Sequence, residues 1–261
     1  MRASPGRAAA GTATAARDRA LSVLALLLLW WAAARLAADP RALPPPGAVA
    51  AAAWRQAASG SMARDFAATL ARVLAAFVLS MLAGAALGYA AGRSRRADAA
   101  VDPWVVILLN LPALVVIVLA YIWIGLNETA AVLAVAVVKV PTVVVTVREG
   151  ARALDPALDD LAAVYRLSLG RRLRWIVLPQ LAPYLAAAGR SGLAITWKIV
   201  LIVELLGRPD GVGFALNLFF QNFDVASILA YGLGFAALML LVELAALQPW
   251  ERRANAWRRA A

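Results

Sequence analysis

The chain has 261 residues, of which 63% are hydrophobic and only 16% are charged, and its formal net charge is +11 at pH 7. Typical soluble domains are about 25% charged, and a soluble core of this length cannot bury so much apolar side chain, so an ordinary soluble domain and a disordered chain are both excluded. Because cysteine and histidine are absent, the sequence also excludes disulfides, thiolate metal sites, iron–sulfur clusters and Ser-His-Asp catalysis.

Six stretches are long and apolar enough to cross a membrane, which takes about 20 residues in a helix. Lipid offers the backbone no hydrogen-bond partners, and these runs do not alternate as the strands of a barrel do, so we expect helices. The sequence therefore predicts an all-α, polytopic membrane protein with about six transmembrane helices. The predicted spans are residues 20–38, 67–91, 103–124, 129–147, 180–203 and 225–247. Residues 67–247 form a core of five helices, and residues 248–261 form a basic cytoplasmic tail.

Residues 1–19 precede the first span and are basic, with Arg2, Arg7, Arg17 and Arg19. Such residues before an apolar stretch, with an Ala-rich sequence after it, also fit a cleaved signal peptide. We favour an uncleaved first span with a cytoplasmic N-terminal segment, because the apolar stretch is longer than that of a signal peptide. Cleavage stays an alternative, and neither choice changes the later topology.

Arginine is concentrated in alternate connecting segments, which indicates that those segments are cytoplasmic. With the N-terminus inside, the outer segments hold only Arg41, Arg55, Arg64 and Arg208. The inner segments after the first hold many more: Arg93, Arg95, Arg96, Arg148, Arg152, Arg166, Arg171, Arg172, Arg174, Arg252, Arg253, Arg258 and Arg259. The basic balance is therefore typical of cytoplasmic loops, and we expect no nucleic-acid partner.

Two local patterns concern helix packing. Gly84, Gly88 and Gly92 form a stripe of small residues in the second span, which lets helix backbones approach closely. The stripe fits packing inside the bundle better than a dimer contact. Pro112 and Pro141 each remove a helical hydrogen bond, so kinks are expected in the third and fourth spans.

The inner segment 148–178 is too ordered for a simple linker. Asp155-Pro156 predicts a helix start, with Asp155 as N-cap and Pro156 in the first position. Ser168 predicts the cap of a second short helix, which ends at the Leu-Pro pair before the fifth span. Both helices are amphipathic, with apolar faces formed by Leu158, Leu161, Ala162 and Tyr165 and by Leu169, Leu173 and Ile176. Such faces fit either the membrane surface or a groove on another protein.

This segment resembles the EAA motif of ABC-transporter permeases, the membrane subunits of bacterial importers. The motif opens with a Glu-Ala-Ala-like triplet and closes with Leu-Pro, and Asp160-Leu161-Ala162 and Leu178-Pro179 match these ends. The glycine of the motif, which usually permits a tight turn, falls at Arg166, and Gly170 comes four residues late. The resemblance implies contact with an ATPase through Asp160, Leu161, Ala162, Tyr165, Arg166, Ser168, Gly170, Leu178 and Pro179.

A wider resemblance covers about residues 67–247. It rests on Arg72-Val73-Leu74, on Pro112 followed by Trp123-Ile124-Gly125, and on Trp197, Glu204 and Gly211-Val212-Gly213. The pattern is most similar to the nitrate/sulfonate/taurine branch of the superfamily. It implies the type I importer permease fold in a bacterial inner membrane, surrounded by lipid. It also implies a dimer of membrane subunits, two ABC ATPase subunits on the cytoplasmic face and a periplasmic solute-binding protein.

Charged residues within the spans are costly in hydrocarbon and usually face a bundle interior or a watery cavity. Lys139 and Arg190 fall nearest the middle of the membrane, while Lys198 and Glu204 lie closer to its outer end. They predict a positively lined passage that suits an anion. Asn110 fits either a polar group of this passage or, as the favoured alternative, an interhelical hydrogen bond. The alternative is structural pairing, for example between a cation and Glu204 or Glu243.

Three other functions are weaker. An ion-gradient-driven secondary transporter has no need of the motif-bearing loop, and a basic membrane-surface scaffold does not explain the polar groups in the spans. A membrane enzyme lacks an evident catalytic pair, because Asp159 and Asp160 are adjacent and face different ways on a helix. The chain also has no P-loop, so ATP hydrolysis is expected on a separate subunit, and no metal or cofactor is expected.

Overall fold

The computed structural model describes residues 5–249, and every regular element within that range is a helix. In chain order the helices are α1 Pro5–Ala37, α2 Pro46–Ala58, α3 Ser61–Arg93, α4 Arg95–Asn110, α5 Ala113–Ile124, α6 Glu128–Arg152, α7 Pro156–Val164, α8 Leu169–Arg172, α9 Leu178–Gly207, α10 Val212–Gln221 and α11 Val225–Val242. A π-helical turn, Leu173–Val177, joins α8 to α9, and a second, Glu243–Leu247, extends α11. The predicted all-α fold is therefore confirmed, and the predicted basic tail lies largely outside the described residues.

Four helices are long and apolar enough to cross a membrane, and they cover the second, fourth, fifth and sixth predicted spans. They are Ser61–Arg93, Glu128–Arg152, Leu169–Gly207 and Val225–Ala245. The first predicted span corresponds to Leu21–Ala37, a shorter apolar stretch of α1. The short helices α2 and α10 were not predicted, since each lies in a connecting segment and is too short to span a bilayer.

The third predicted span is wrong as a single helix. It is divided between α4 and α5, which meet at 103°. Pro112 provides no backbone N–H, and the residue before a proline is pushed towards extended conformations. Leu111 accordingly has φ −78° and ψ 126°, and the helix stops there. Pro141, in contrast, lies within α6, which runs on to Arg152.

The glycine stripe of α3 packs against α6 of the same chain. A Cβ atom added at Gly84 would lie 2.5 Å from Val143 Cβ, and one at Gly92 would lie 2.5 Å from Ala151 Cβ. At Gly88 it would lie 2.7 Å from the carbonyl oxygen of Val144. The stripe therefore serves packing inside the bundle, as predicted, because larger residues would force the two parallel helices apart.

A buried ionic cluster, here called the outer cluster, joins the outer ends of these helices. Its centre is Arg72 of α3, which is only 4% exposed. The guanidinium donates to Glu204 of α9 at 2.7 Å, to Glu128 of α6 at 2.7 Å and to the carboxylate of Asp210. Each of the three carboxylates comes from a different segment, so a single buried cation holds α3, α6, α9 and the α9–α10 turn together.

Glu204 is completely buried within the outer cluster. Besides Arg72, its carboxylate accepts hydrogen bonds from Thr69 Oγ1 at 2.9 Å and from the backbone N–H of Gly213 at 2.8 Å. Gly211 adopts a φ of +100° at the turn that brings this N–H to the carboxylate, a conformation that favours glycine. These bonds favour the structural-pairing alternative for Glu204, with Arg72 as its partner.

The outer cluster lies about 30 Å along α3 from Arg93, given 1.5 Å of rise per helical residue. This separation matches the hydrocarbon thickness of a bilayer. Arg72 and Arg93 are therefore separated along α3 by about the thickness of a hydrocarbon core.

We expect Glu204→Gln to lower the free energy of unfolding by about 3 kcal/mol, because it removes a buried partner of a buried cation. The measurement is chemical denaturation of the purified protein in detergent. Glu243→Gln is the matched control, since Glu243 is 35% exposed and lies 3.7 Å from Arg190. That change should cost less than about 1 kcal/mol. Equal losses in the two variants would contradict a structural role specific to the outer cluster.

Candidate functional site

The segment 148–178 contains, directly after α6, the helix α7 that the sequence predicted. Asp155 caps α7, and its carboxylate accepts a hydrogen bond from the backbone N–H of Ala157 at 2.9 Å. Pro156 occupies the first helical position, where its missing N–H costs nothing. The predicted start of this helix is confirmed.

Arg166 lies where the helix α7 turns back, at the position of the glycine in the motif. The N–H of Arg166 donates to Ala163 O and that of Leu167 donates to Ala162 O, both at 3.0 Å. This pair of bonds is a Schellman motif, which places a left-handed residue after the helix. Arg166 has a φ of +47°, so an arginine adopts the conformation that glycine would take. Gly170 lies in α8, where a Cβ atom would meet nothing within 4 Å, and it has no part in this turn.

The second short helix is not a separate element, and that prediction is wrong. Helix α8 passes through the π-helical turn directly into α9. Within this turn the N–H of Leu178 donates to Leu173 O, five residues back, which keeps the helix continuous ahead of Pro179. Ser168 holds the predicted N-cap position, but its side chain makes no capping hydrogen bond.

An ion-pair clamp ties the segment to the bundle, and the sequence analysis missed it. Asp159 of α7 accepts hydrogen bonds from Arg93, the last residue of α3, and from Arg172 of α8, the latter at 2.8 Å. Burial raises the pKa of the Asp159 carboxyl, but hydrogen bonds from Arg172 and Arg93 outweigh burial and hold that pKa below its ordinary value. Asp159 therefore stays ionised, and α7 is held against the C-terminal end of α3.

The segment leaves a band of apolar side chains uncovered, here called the coupling surface. Ala162 and Ile176 are buried in the chain, which corrects the prediction that Ala162 lies on a docking face. The coupling surface consists of exposed residues along α7, α8 and the π-helical turn: Leu161, Val164, Tyr165, Leu169 and Trp175. Val164, Tyr165 and Leu169 are 79%, 71% and 84% exposed. Asp160 is also exposed, and no hydrogen bond or ion pair of its carboxylate is found among the described residues.

Lys139 is buried between three helices, near the middle of α6. It is 2% exposed, and its ammonium donates to Thr142 Oγ1 at 2.7 Å. Gly192 of α9 makes room for it, because a Cβ there would lie 2.8 Å from Lys139 Cε. Within residues 5–249 no carboxylate pairs with this ammonium.

Arg190 and Lys198 do not lie beside Lys139. Both are exposed on the surface of α9. Together with Trp197 and with Glu243 of the turn after α11, they line a groove of about 200 Å³. Arg190 Nε lies 3.7 Å from Glu243 Oε1, and Lys198 Nζ lies 5.7 Å from the centre of the Trp197 ring. Aromatic faces and carboxylates both stabilise cations. The groove thus contains two cations, Arg190 beside Glu243 and Lys198 beside Trp197, and one carboxylate.

The five predicted passage residues thus fall in four places. Arg190 and Lys198 share the α9 groove, Lys139 is buried in the bundle, and Glu204 belongs to the outer cluster. Asn110 lies at the bend between α4 and α5, where its amide donates to Val106 O at 2.8 Å. Among the described residues, no group of three acidic side chains is arranged to hold a metal ion.

Comparison with known proteins places residues 76–247 within a single family model, described as the binding-protein-dependent transport system inner membrane component. The chain is 26% identical over 199 residues to a probable ABC transporter permease protein of Brucella melitensis, covering 76% of this chain and 80% of the relative. It is 26% identical over 194 residues to the taurine transport system permease protein TauC of Escherichia coli, covering 74% and 70%.

Solved structures agree with the fold. A crystal structure of an amino acid ABC transporter superposes with a TM-score of 0.54 at 21% identity, covering 71% of this chain and 90% of that chain. The inward-facing MetNI methionine ABC transporter gives a TM-score of 0.57 at 17% identity, covering 75% and 94%. The family model spans most of the chain, and the described helices are apolar enough to cross a membrane. The chain therefore belongs to the family of binding-protein-dependent transport system inner-membrane components, as a permease subunit of an ABC importer.

Proposed function

We propose that this permease moves a small anion through a homodimer, driven by ATP hydrolysis on separate ABC ATPase subunits. The solute would be delivered by a periplasmic binding protein, which the family description requires. The observation that carries the proposal is the coupling surface, an exposed apolar band on α7, α8 and the π-helical turn, of which α8 continues without a break into a membrane span. Such a band is typical of a helical surface that fits a groove on a partner.

The mechanical link supports docking of an ATPase at the coupling surface. Helices α8 and α9 form one continuous helical stretch, Leu169–Gly207. The clamp of Asp159 with Arg93 and Arg172 holds α7 to both α3 and α8. A displacement imposed on α7 is therefore passed to two membrane-spanning helices rather than lost in a flexible loop.

The charges within the spans support an anionic solute. Arg190 and Lys198 line an open groove, and Lys139 is an ammonium at mid-membrane depth with no carboxylate partner among the described residues. We assign these three residues to the passage and assign Glu204 and Asn110, which bond within the chain, to structure. Relatives named for aliphatic sulfonates, bicarbonate and taurine handle solutes that carry anionic groups.

A second copy would complete the passage, because the α9 groove is open on one side and Arg190 and Lys198 are exposed. The remaining exposed apolar side chains, such as Leu82 and Ile122 at 67% and 68%, would contact membrane lipid. A homodimer therefore accounts for the open charged groove, and lipid accounts for the remaining apolar surface.

Tyr165→Asp should reduce recovery of the ATPase subunits at least about tenfold, since a carboxylate in an apolar groove is poorly solvated. The measurement is co-purification of the ATPase with the tagged permease in detergent. Asp160→Arg should also uncouple transport, because it reverses an exposed charge beside the coupling surface.

Trp54→Asp is the matched control, because Trp54 is an equally exposed aromatic residue, 76% exposed, in an outer segment. It should leave ATPase recovery unchanged. Normal recovery and normal transport with both cytoplasmic variants would contradict docking at the coupling surface.

Lys139→Met should reduce anion uptake into proteoliposomes about tenfold or more, the effect of losing one charged contact to the solute. Assembly should survive, because no described carboxylate is left unpaired when the ammonium is removed. Size-exclusion chromatography of the complex checks assembly. Uptake at the wild-type rate would contradict the assignment of Lys139 to the passage.

A further inference from the structure

We propose that the junction of α3 and α4 binds the phosphate group of an anionic phospholipid, whose hydrocarbon chain lies along the exposed side of α4. The junction contains an open cavity of about 510 Å³, here called the arginine pocket. Its charged walls are Arg93 at the end of α3, Arg95 and Asp98 at the start of α4, and Arg152 at the end of α6. A guanidinium group presents its N–H groups as a fork that matches two oxygens of a phosphate.

The first observation is the balance of charge around the arginine pocket. Four arginines and four carboxylates are joined there by ion pairs, so their charges cancel. They are Arg93, Arg148, Arg152 and Arg172 with Asp98, Asp102, Glu149 and Asp159. Arg95 and Arg96 are both exposed, and no described residue gives either guanidinium a hydrogen bond or an ion pair. The junction therefore carries a surplus of two positive charges.

The paired arginines give the arginine pocket a fixed wall. Arg152 donates to Asp98 at 2.6 Å, and Arg93 donates to Asp159. Two guanidinium groups are thus held in place before any ligand arrives, so binding a phosphate costs little side-chain ordering. The unpaired charge of Arg95 lies beside them in the same cavity.

The second observation is the depth of the arginine pocket in the membrane. Arg93 lies about 30 Å along α3 from Arg72, which is the thickness of a hydrocarbon core. The pocket is therefore at the level of the lipid headgroups. The distribution of arginines predicts that this surface is cytoplasmic, and the cytoplasmic leaflet carries the anionic lipids.

The third observation is an exposed apolar path that leads from the unpaired arginines along α4. Residues 11 positions apart lie on nearly the same side of a helix, so Val106 follows Arg95 and Ile107 follows Arg96. Val106 and Ile107 are 52% and 55% exposed. The exposed residues between them include two small ones, Ala99 and Ala100. The path is about 16 Å long, half the thickness of a hydrocarbon core and thus the depth of one leaflet.

The apolar path favours a lipid over the other anions that guanidinium groups bind. A soluble phosphate would occupy the arginine pocket alone and make no use of the path. An acidic surface of a partner protein would meet the arginines but not the rest of α4, because α4 and α5 together form a divided membrane span. Charge at one end and exposed apolar side chains beyond it match a molecule with a phosphate and a hydrocarbon chain.

The test compares the full-length permease with the double variant Arg95→Gln, Arg96→Gln, which removes both unpaired charges. Native mass spectrometry in detergent measures the binding of phosphatidylglycerol and of phosphatidylcholine, and the thermal unfolding midpoint is measured without added lipid. We expect the preference for phosphatidylglycerol to fall about tenfold or more. The midpoint should stay the same, because no described carboxylate loses a partner.

The matched control is the double variant Arg171→Gln, Arg174→Gln, which removes the same charge from two exposed arginines outside the arginine pocket. It should keep the preference for phosphatidylglycerol. An equal loss in the control would overturn the proposal, because the attraction would then come from overall charge. An unchanged preference in the variant at Arg95 and Arg96 would overturn it as well.

Two further outcomes would assign the arginine pocket to another ligand and overturn the proposal. Displacement of phosphatidylglycerol by inorganic phosphate at a similar concentration would show that the hydrocarbon chain adds nothing. Lower recovery of the ATPase with the variant at Arg95 and Arg96, at an unchanged lipid preference, would assign these arginines to a protein partner. The lipid measurements use the permease alone, so their result is independent of the proposed transport function.

Discussion

Neutralising the buried guanidinium of Arg72 is the constraint on which the outer half of the bundle depends. A lone cation at this position would be very costly, since neither apolar side chains nor lipid can solvate it. Its carboxylate partners come from α6, α9 and the turn after α9. The helices must therefore meet at this one place, and the Gly211–Gly213 turn folds back so that the N–H of Gly213 completes the bonding of Glu204. Beyond this cluster, α3 and α6 pack closely because the glycines of α3 leave room for the residues of α6.

At the opposite end of α3, the chain presents an apolar surface on a firmly held helix. Asp159 takes two arginine partners from elements on either side of α7, so the helix is fixed without covering its outer face. The π-helical turn avoids a break before Pro179 and makes α8 an extension of α9. Rigidity and exposure are thereby combined in one short segment.

The sequence predicted what depends on composition and on local pattern. The apolar runs indicated the spans, the arginines indicated the orientation, and Asp155-Pro156 marked the start of α7. Long-range partners were not predictable, because Arg72 with Glu204 and Arg93 with Asp159 are joined only by the three-dimensional packing. The size of the bend at Pro112 and the continuity of α8 with α9 also depend on neighbours rather than on the residues themselves. Arg166 shows the converse: the missing glycine left the geometry of this turn open, and the structure forms a tight turn there with Arg166 at a φ of +47°.

The glycine contact between α3 and α6 has a consequence for movement. With three glycines set against Val143, Val144 and Ala151, neither helix can slide or rotate on the other without a steric collision. The pair must therefore travel as a rigid body. Alternating access would then come from hinge motion at looser joints, such as the open seam between α9 and α11, which borders charged groups.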